Sequence, residues 1–402
     1  MNARDVWITG IGLLTPLGEG NEEHRACLRN TADPARLDAA SYAPYPIHTL
    51  GEVDFSRQIP KKADQRQMEL WQRIGVYASG LALADSGLAH DHELLARTNL
   101  NVAAGSGERD TAVDAKILET IGSSGETELL AKEILPTALR PTLFLAQLSN
   151  LLAGNISIVH NVTASSRTFM GEEIAGLAAV ENACRRIQAG QGDVFLVGGA
   201  LNANREDLLL GYELGKNLWA HPYKGVWSRK EKGGGFIPGS AGAFLVLEAR
   251  EHAQARGRKA YAQIRHVATD CSRRRPGDTT KTLAGLFDTM NVPDGPLAVM
   301  SGASGVEPVT ADELAFLQAL EGRGHQVAIC AYGTRIGHSV EAHFPAGVAL
   351  AALALTQGEF FAPSDENGVE APFKGDELSR VLVTGAGHWR GEGLALLERV
   401  EQ

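Results

Sequence analysis

Short apolar runs closed by glycine recur along the chain and predict buried strands. Val6-Trp7-Ile8-Thr9-Gly10-Ile11-Gly12-Leu13 opens the series and breaks into a glycine-rich turn, and the stretches 100–104, 193–200 and 241–248 continue it. Near the carboxyl end, 380–385 and 394–400 repeat a layout of strand, glycine loop, strand. Between these runs the apolar positions switch to helical spacing. Leu70, Ile74, Tyr77 and Leu81 form one stripe within 64–83, with Asp85-Ser86-Gly87 as its stop signal; Leu177, Val180, Cys184 and Ile187 form another within 171–190. Cys184 is expected in the core, where an unoxidised cysteine behaves as a small hydrophobe. Strands alternating with helices predict an α/β protein. The repeated layout predicts a pseudo-duplication whose halves, 1–249 and 250–402, meet near residue 250.

Composition narrows the function classes. A chain of 402 residues, 44% of them apolar, suits one large or two fused α/β domains and excludes global disorder. The 38 basic against 48 acidic side chains give a formal charge of −10, which argues against a nucleic-acid or anionic-membrane binder. Cys27, Cys184, Cys271 and Cys330 are too scattered for a disulfide framework or a zinc motif, so a reducing cytoplasm is the expected setting. Residues 1–5 lead straight into a strand without a signal region, and no run approaches membrane-spanning length.

Generic motifs imply neither cofactor nor metal. After Gly10-Ile11-Gly12 the third glycine of a dinucleotide fingerprint is replaced by Thr15, and Pro16 follows. Lys216 precedes Asn217, so no phosphate loop closes there. The loops around Ser106 and Ser304 lack a nucleophile elbow, and His90 and His92 flank Asp91 in a stretch expected to be solvated.

The opening through Leu14-Thr15-Pro16-Leu17-Gly18 resembles that of the β-ketoacyl-acyl-carrier-protein synthases, a condensing-enzyme family. Four further segments resemble the same family in order: 65–88, 139–158, 192–200 and the glycine-phenylalanine hairpin 233–248. The resemblance implies a thiolase-like fold, two related α/β halves stacked as five layers, helix, sheet, helix, sheet, helix.

It also implies a chemistry. In an active member, a cysteine at the amino end of a buried helix attacks an acyl thioester, and two histidines bind the thioester oxygen as malonyl-carrier protein loses carbon dioxide. Counting forward from Ser157 or back from Asp193 puts the nucleophile position at Glu173. A second register, with Thr163-Ala164-Ser165-Ser166 for the family's cysteine motif, puts Ser165 there but needs an insertion inside a helix. Alignment through Glu313 puts Gly302 at the first histidine. The second histidine is retained as His338, while the usual lysine before it has become Gly333. The terminal loop carrying the family's gating aromatic reads Gly387-His388-Trp389-Arg390-Gly391, so His388 and Trp389 are expected against the acyl substrate.

A carboxylate is a poor substitute for a thiolate, because its attack would give a mixed anhydride less stable than the thioester. The resemblance therefore implies a non-condensing relative of the chain-length-factor subunits that pair with an active ketosynthase. Such a subunit would serve fatty acid synthesis, including the very-long-chain acids of lipid A, or polyene synthesis. An acyl carrier protein is the implied partner, with an active paralogue in a heterodimer or a second copy in a homodimer. The alternative is an enzyme in its own right, a 3-oxoacyl-carrier-protein synthase using Ser165 or a malonyl decarboxylase using Glu173 and His338. Arg256, Arg258, Lys259 and Arg273, Arg274, Arg275 are the candidate dock for an acidic carrier.

Overall fold

The computed structural model describes residues 4–29, 36–124, 128, 130–139 and 141–401, so residues 1–3 and Arg140 of the segments above lie outside them. Among the described residues, ten strands of four or more residues join one continuous sheet. They are β1 (Val6–Thr15), β2 (Asn99–Ala103), β3 (Ser166–Phe169), β4 (Val194–Leu201), β5 (Ala241–Ala249), β6 (Ala262–Asp270), β7 (Gly295–Ser301), β8 (His325–Ala331), β9 (Arg380–Ala386) and β10 (Glu392–Glu398). The spatial order is β8-β7-β9-β10-β6-β1-β5-β4-β2-β3.

From the β6–β1 seam outward, each set of five runs first, fifth, fourth, second, third. The directions repeat too: two antiparallel pairings next to the seam, then two parallel ones at the edge. The chain therefore contains the same supersecondary unit twice. The seam itself is short, with Val6, Trp7 and Ile8 opposite Ile264, Gln263 and Ala262.

Helices α1 (Leu70–Asp85) and α2 (Asn150–His160) cover the outer face of the first unit. After α3 (Glu173–Gln188) and α4 (Glu206–Leu214), α5 (Asp278–Asp288) and α6 (Val309–Glu321) cover the outer face of the second. Between the units lie α3 and α7 (His343–Gln357), each touching strands of both. These are the five layers of the thiolase-like arrangement. The central position explains the sequence of α7, which is buried at every residue from 343 to 355 and so needs no polar face. In α3, Leu177, Val180, Cys184 and Ile187 are all buried, as their spacing predicts.

Three local expectations are corrected. Gly10 and Gly12 sit inside β1, not in a turn, because α1 crosses the strand at backbone distance: a Cβ on Gly12 would lie 2.0 Å from the Ala78 carbonyl oxygen. The helix expected across 64–83 is two helices, Lys62–Gln67 and α1, separated where Glu69 and Gln72 form a capping box. The 139–158 segment, which the family resemblance implies as one helix, is likewise divided, into Pro141–Ala146 and α2.

Candidate active site

A strand, a tight turn and a buried helix meet at Glu173. After β3, Gly171 (φ 129°) and Glu172 (φ 62°) reverse the chain, and Glu173 becomes the first residue of α3. A positive φ at a glutamate is a strained conformation, and such strain persists where surrounding contacts enforce it. The turn leaves Glu172 part-buried and aims Glu173 inward, where it is 4% exposed.

Two other loops converge on this carboxylate. His338 is delivered by Gly337, which follows the helical turn Gly333–Ile336 and packs on Gly239; the His338 amide donates to the Ile237 carbonyl. His388 comes from the 387–391 loop between β9 and β10. Glu173 Oε1 lies 2.7 Å from His338 Nε2 and 2.7 Å from His388 Nδ1. An ionised carboxylate only accepts, so both ring nitrogens carry protons toward it. The His388 Nε2 lies 4.0 Å from a Glu172 carboxylate oxygen.

The charges reinforce one another. Burial alone would push the Glu173 carboxyl up, but the His388 charge and the hydrogen bonds from both imidazoles outweigh it and hold it well below the usual carboxylate range. Burial would push His388 down, and the adjoining Glu173 carboxylate outweighs it and raises His388 instead. The amino end of α3 adds its positive dipole end to the same carboxylate. The pair is stable, but it occupies Oε1 fully, and Glu173 Oε2 has no hydrogen-bond partner among the described residues.

At Gly302 the space is closed as well as empty of a side chain. A Cβ there would lie 2.5 Å from the Thr384 carbonyl oxygen, and the Gly302 amide donates to Thr384 Oγ1 at 3.1 Å. Glu313 anchors this corner by accepting from Ser301 and Thr384 hydroxyls. Ser165, the nucleophile of the alternative register, lies outside the site; its hydroxyl hydrogen-bonds Asn99 and Arg186 at the entrance to β3. Trp389 points outward and is 67% exposed, whereas His388 is inside.

The 387–391 loop is fixed from beneath by Arg274, whose guanidinium donates to the Gly387 and Gly391 carbonyls and pairs with the buried Glu392. Arg256 is similarly committed to the buried Glu248 and to the Ser86 carbonyl. These two arginines of the expected carrier dock are therefore internal ties, which leaves Arg258, Lys259, Arg273 and Arg275 toward the surface.

Glu172, Glu173 and His388 place one ligand atom each within 4.8 Å of one another, the one such trio among the described residues. A protonated imidazole between two carboxylates has no lone pair to offer, so this trio reads as an ion-pair cluster.

Two residues at the site were missed in the sequence. His343 opens α7 with its ring 4.4 Å from those of His338 and Tyr332, and burial together with His338 holds it neutral, well below the usual imidazole value. Glu341 lies between the two histidines, fills the space beside Gly105, and is 4% exposed. No motif marks either one; only their three- and five-residue distance from His338 could have raised attention. A cavity of about 400 Å³ opens beside the cluster, lined by Trp71, Leu201, Tyr212, Glu341, His388 and Trp389 among others.

Among the described residues, no helix is long and apolar enough to cross a membrane. The chain is 29% identical over 271 residues to 3-oxoacyl-[acyl-carrier-protein] synthase 2 of Vibrio cholerae, a match covering 66% of this chain and 62% of that relative's length. It is 25% identical over 388 residues, 93% of this chain and 90% of the relative, to the tetracenomycin polyketide synthase ketoacyl synthase beta subunit of Streptomyces glaucescens. Among solved structures, the ishigamide ketosynthase/chain length factor superposes with a TM-score of 0.79 at 20% identity, covering 99% of this chain and 100% of that one. The family model for the β-ketoacyl synthase N-terminal domain matches residues 3–253, so this chain belongs to the β-ketoacyl synthase family.

Proposed function

We propose that this chain is a non-condensing, chain-length-factor-like partner of an active ketosynthase, working on carrier-bound acyl chains in fatty acid or polyene synthesis. The observation that carries this reading is the state of Glu173. At the position where we place the family's cysteine, the side chain is a buried carboxylate held by His338 and His388. The Nε2 of the retained histidine is thereby committed to a hydrogen bond with Glu173 and is not available to bind an enolate oxygen. Gly302, at the other histidine position, supplies no donor side chain. The full-length likeness to a beta subunit of a two-component synthase supports the same reading.

On this proposal the units 1–249 and 250–402 are the two thiolase-like halves, the chain is a dimer subunit, and the acyl carrier protein docks on the assembled pair in the cytoplasm. The test is native mass spectrometry of the chain co-expressed with synthase paralogues encoded beside it, followed by loading with radiolabelled acyl-carrier protein. A one-to-one heterodimer labelled only on the paralogue is the expected result. Label on this chain, or carbon dioxide release from malonyl-carrier protein by the isolated chain, would overturn it.

A further inference from the structure

We propose that Glu341 makes the cavity beside the ion-pair cluster selective for acyl chains that carry a hydroxyl or keto oxygen, over saturated chains of the same length. This inference rests on the acyl-chain reading above and adds the substrate class.

Glu341 is 4% exposed and borders the cavity. The hydrogen bond it receives is from its own backbone amide; among the described residues no side chain donates to it. Its position is enforced: Val340 before it is held at φ 45°, a rare conformation for a β-branched residue, and the Glu341 carbonyl packs against Gly176 and Gly199. Burial first, then the Glu173 and Glu172 charges, raise its carboxyl to about 7, so it presents an O–H donor as well as an acceptor near neutrality. Tyr212 stands across the same cavity, its hydroxyl also pushed up by burial and then by the Glu341 charge. Trp71 and Leu201 supply apolar wall, and Glu172, Arg205 and Asp207 line the same cavity.

A saturated chain in this cavity would press methylenes against a buried carboxyl and leave it without a partner. A chain oxygen within reach of Glu341 would satisfy it, as a carbonyl accepting its proton or a hydroxyl doing either. A site built around a hydrogen bond discriminates against the ligand that lacks it.

The test uses the full chain and four probes: octanoyl-pantetheine and its forms hydroxylated at carbon three, five or seven. Trp71 and Trp389 line the cavity, so intrinsic fluorescence reports binding. At least one hydroxylated probe is expected to bind roughly ten-fold or more tightly than octanoyl-pantetheine, a difference of one hydrogen bond. Glu341→Leu should abolish the preference by strengthening the saturated probe, while Glu341→Gln, which still donates and accepts, should keep it. Equal binding of all probes, or a preference that survives Glu341→Leu, would overturn the inference. Failure of the partner-subunit reading is scored separately: a chain that pairs with a synthase but shows no preference sinks only the selectivity, and one that shows the preference but pairs with none sinks only the pairing.

Discussion

Replacing His388 by phenylalanine keeps an aromatic ring in the 387–391 loop and strips one of the two donors from Glu173. The carboxylate would remain 4% exposed with His338 alone and with Oε2 still unpartnered. Breaking a buried ion pair from one side costs about 3–5 kcal/mol, since the surviving charge keeps its desolvation penalty. An unfolding entropy of about 2.1 cal/mol/K per residue scales to about 0.8 kcal/mol/K for this length, so Tm should fall by about 4–6 °C. The pH dependence distinguishes this mechanism from simple loss of packing. His388 has a folded value raised above its ordinary 6.5, so its contribution is fully present below pH 6.5 and is lost as pH rises through the raised value. Glu173, depressed from its ordinary 4.5, contributes above that value and loses the contribution as pH falls through its lower folded value. Scanning fluorimetry should therefore give the larger drop at pH 6 and a smaller one at pH 9. In the double variant Glu173→Gln/His388→Phe, which has no buried charge left to strand, much of the loss should return. A drop that is equal at both pH values and unrelieved in the double variant would show that His388 acts by shape alone.

Restoring the chemistry should prove harder than restoring one atom. Glu173→Cys should make no 3-oxoacyl product by mass spectrometry even where the new thiol is acylated, since Gly302 supplies no imidazole for the malonyl decarboxylation step. Gly302→His should lower Tm by about 1–4 °C, because its Cβ meets the Thr384 carbonyl at 2.5 Å and overpacking costs about 1–3 kcal/mol. Arg274→Ala should be among the costlier single changes, about 3–5 kcal/mol by chemical denaturation, as it strands the fully buried Glu392. With a thiol reagent at pH 8, Cys271 should react in the native state while Cys184 and Cys330, whose thiols burial pushes up, should wait for unfolding.

The strands and helices were legible because they write their burial into local periodicity, as the stripe of α3 does, while their stacking into five layers was implied by the family resemblance. Counting from segments that resemble the family singled out Glu173, Gly302, His338 and His388, and the structure brings Glu173, His338 and His388 together. The geometry that joins them could not be counted, since the Glu173–His338 and Glu173–His388 contacts link residues 165 and 215 positions apart. The same distance in sequence hid Arg274: a basic run looks solvated until the acid it meets, Glu392, 118 positions away, folds beneath it. Gly10 and Gly12 misled in the other direction, since a glycine needed for a helix crossing leaves the same letter as a glycine needed for a turn. Glu341 and His343 left no trace because an acid or an imidazole in an apolar helix entrance has no periodic signature.

The loop that carries His388 is tied at both faces, to Arg274 through two carbonyls and to Glu173 through the imidazole. In a condensing enzyme the corresponding segment must let an acyl group in and then close behind it. Here Glu173, through its hydrogen bond with His388, is the bolt on that segment. The recess it borders is consequently a fixed mould, whose dimensions are set when the chain folds and do not wait for a guest. Ligand exchange should follow a single fast phase limited by encounter, without the lag of a closing door.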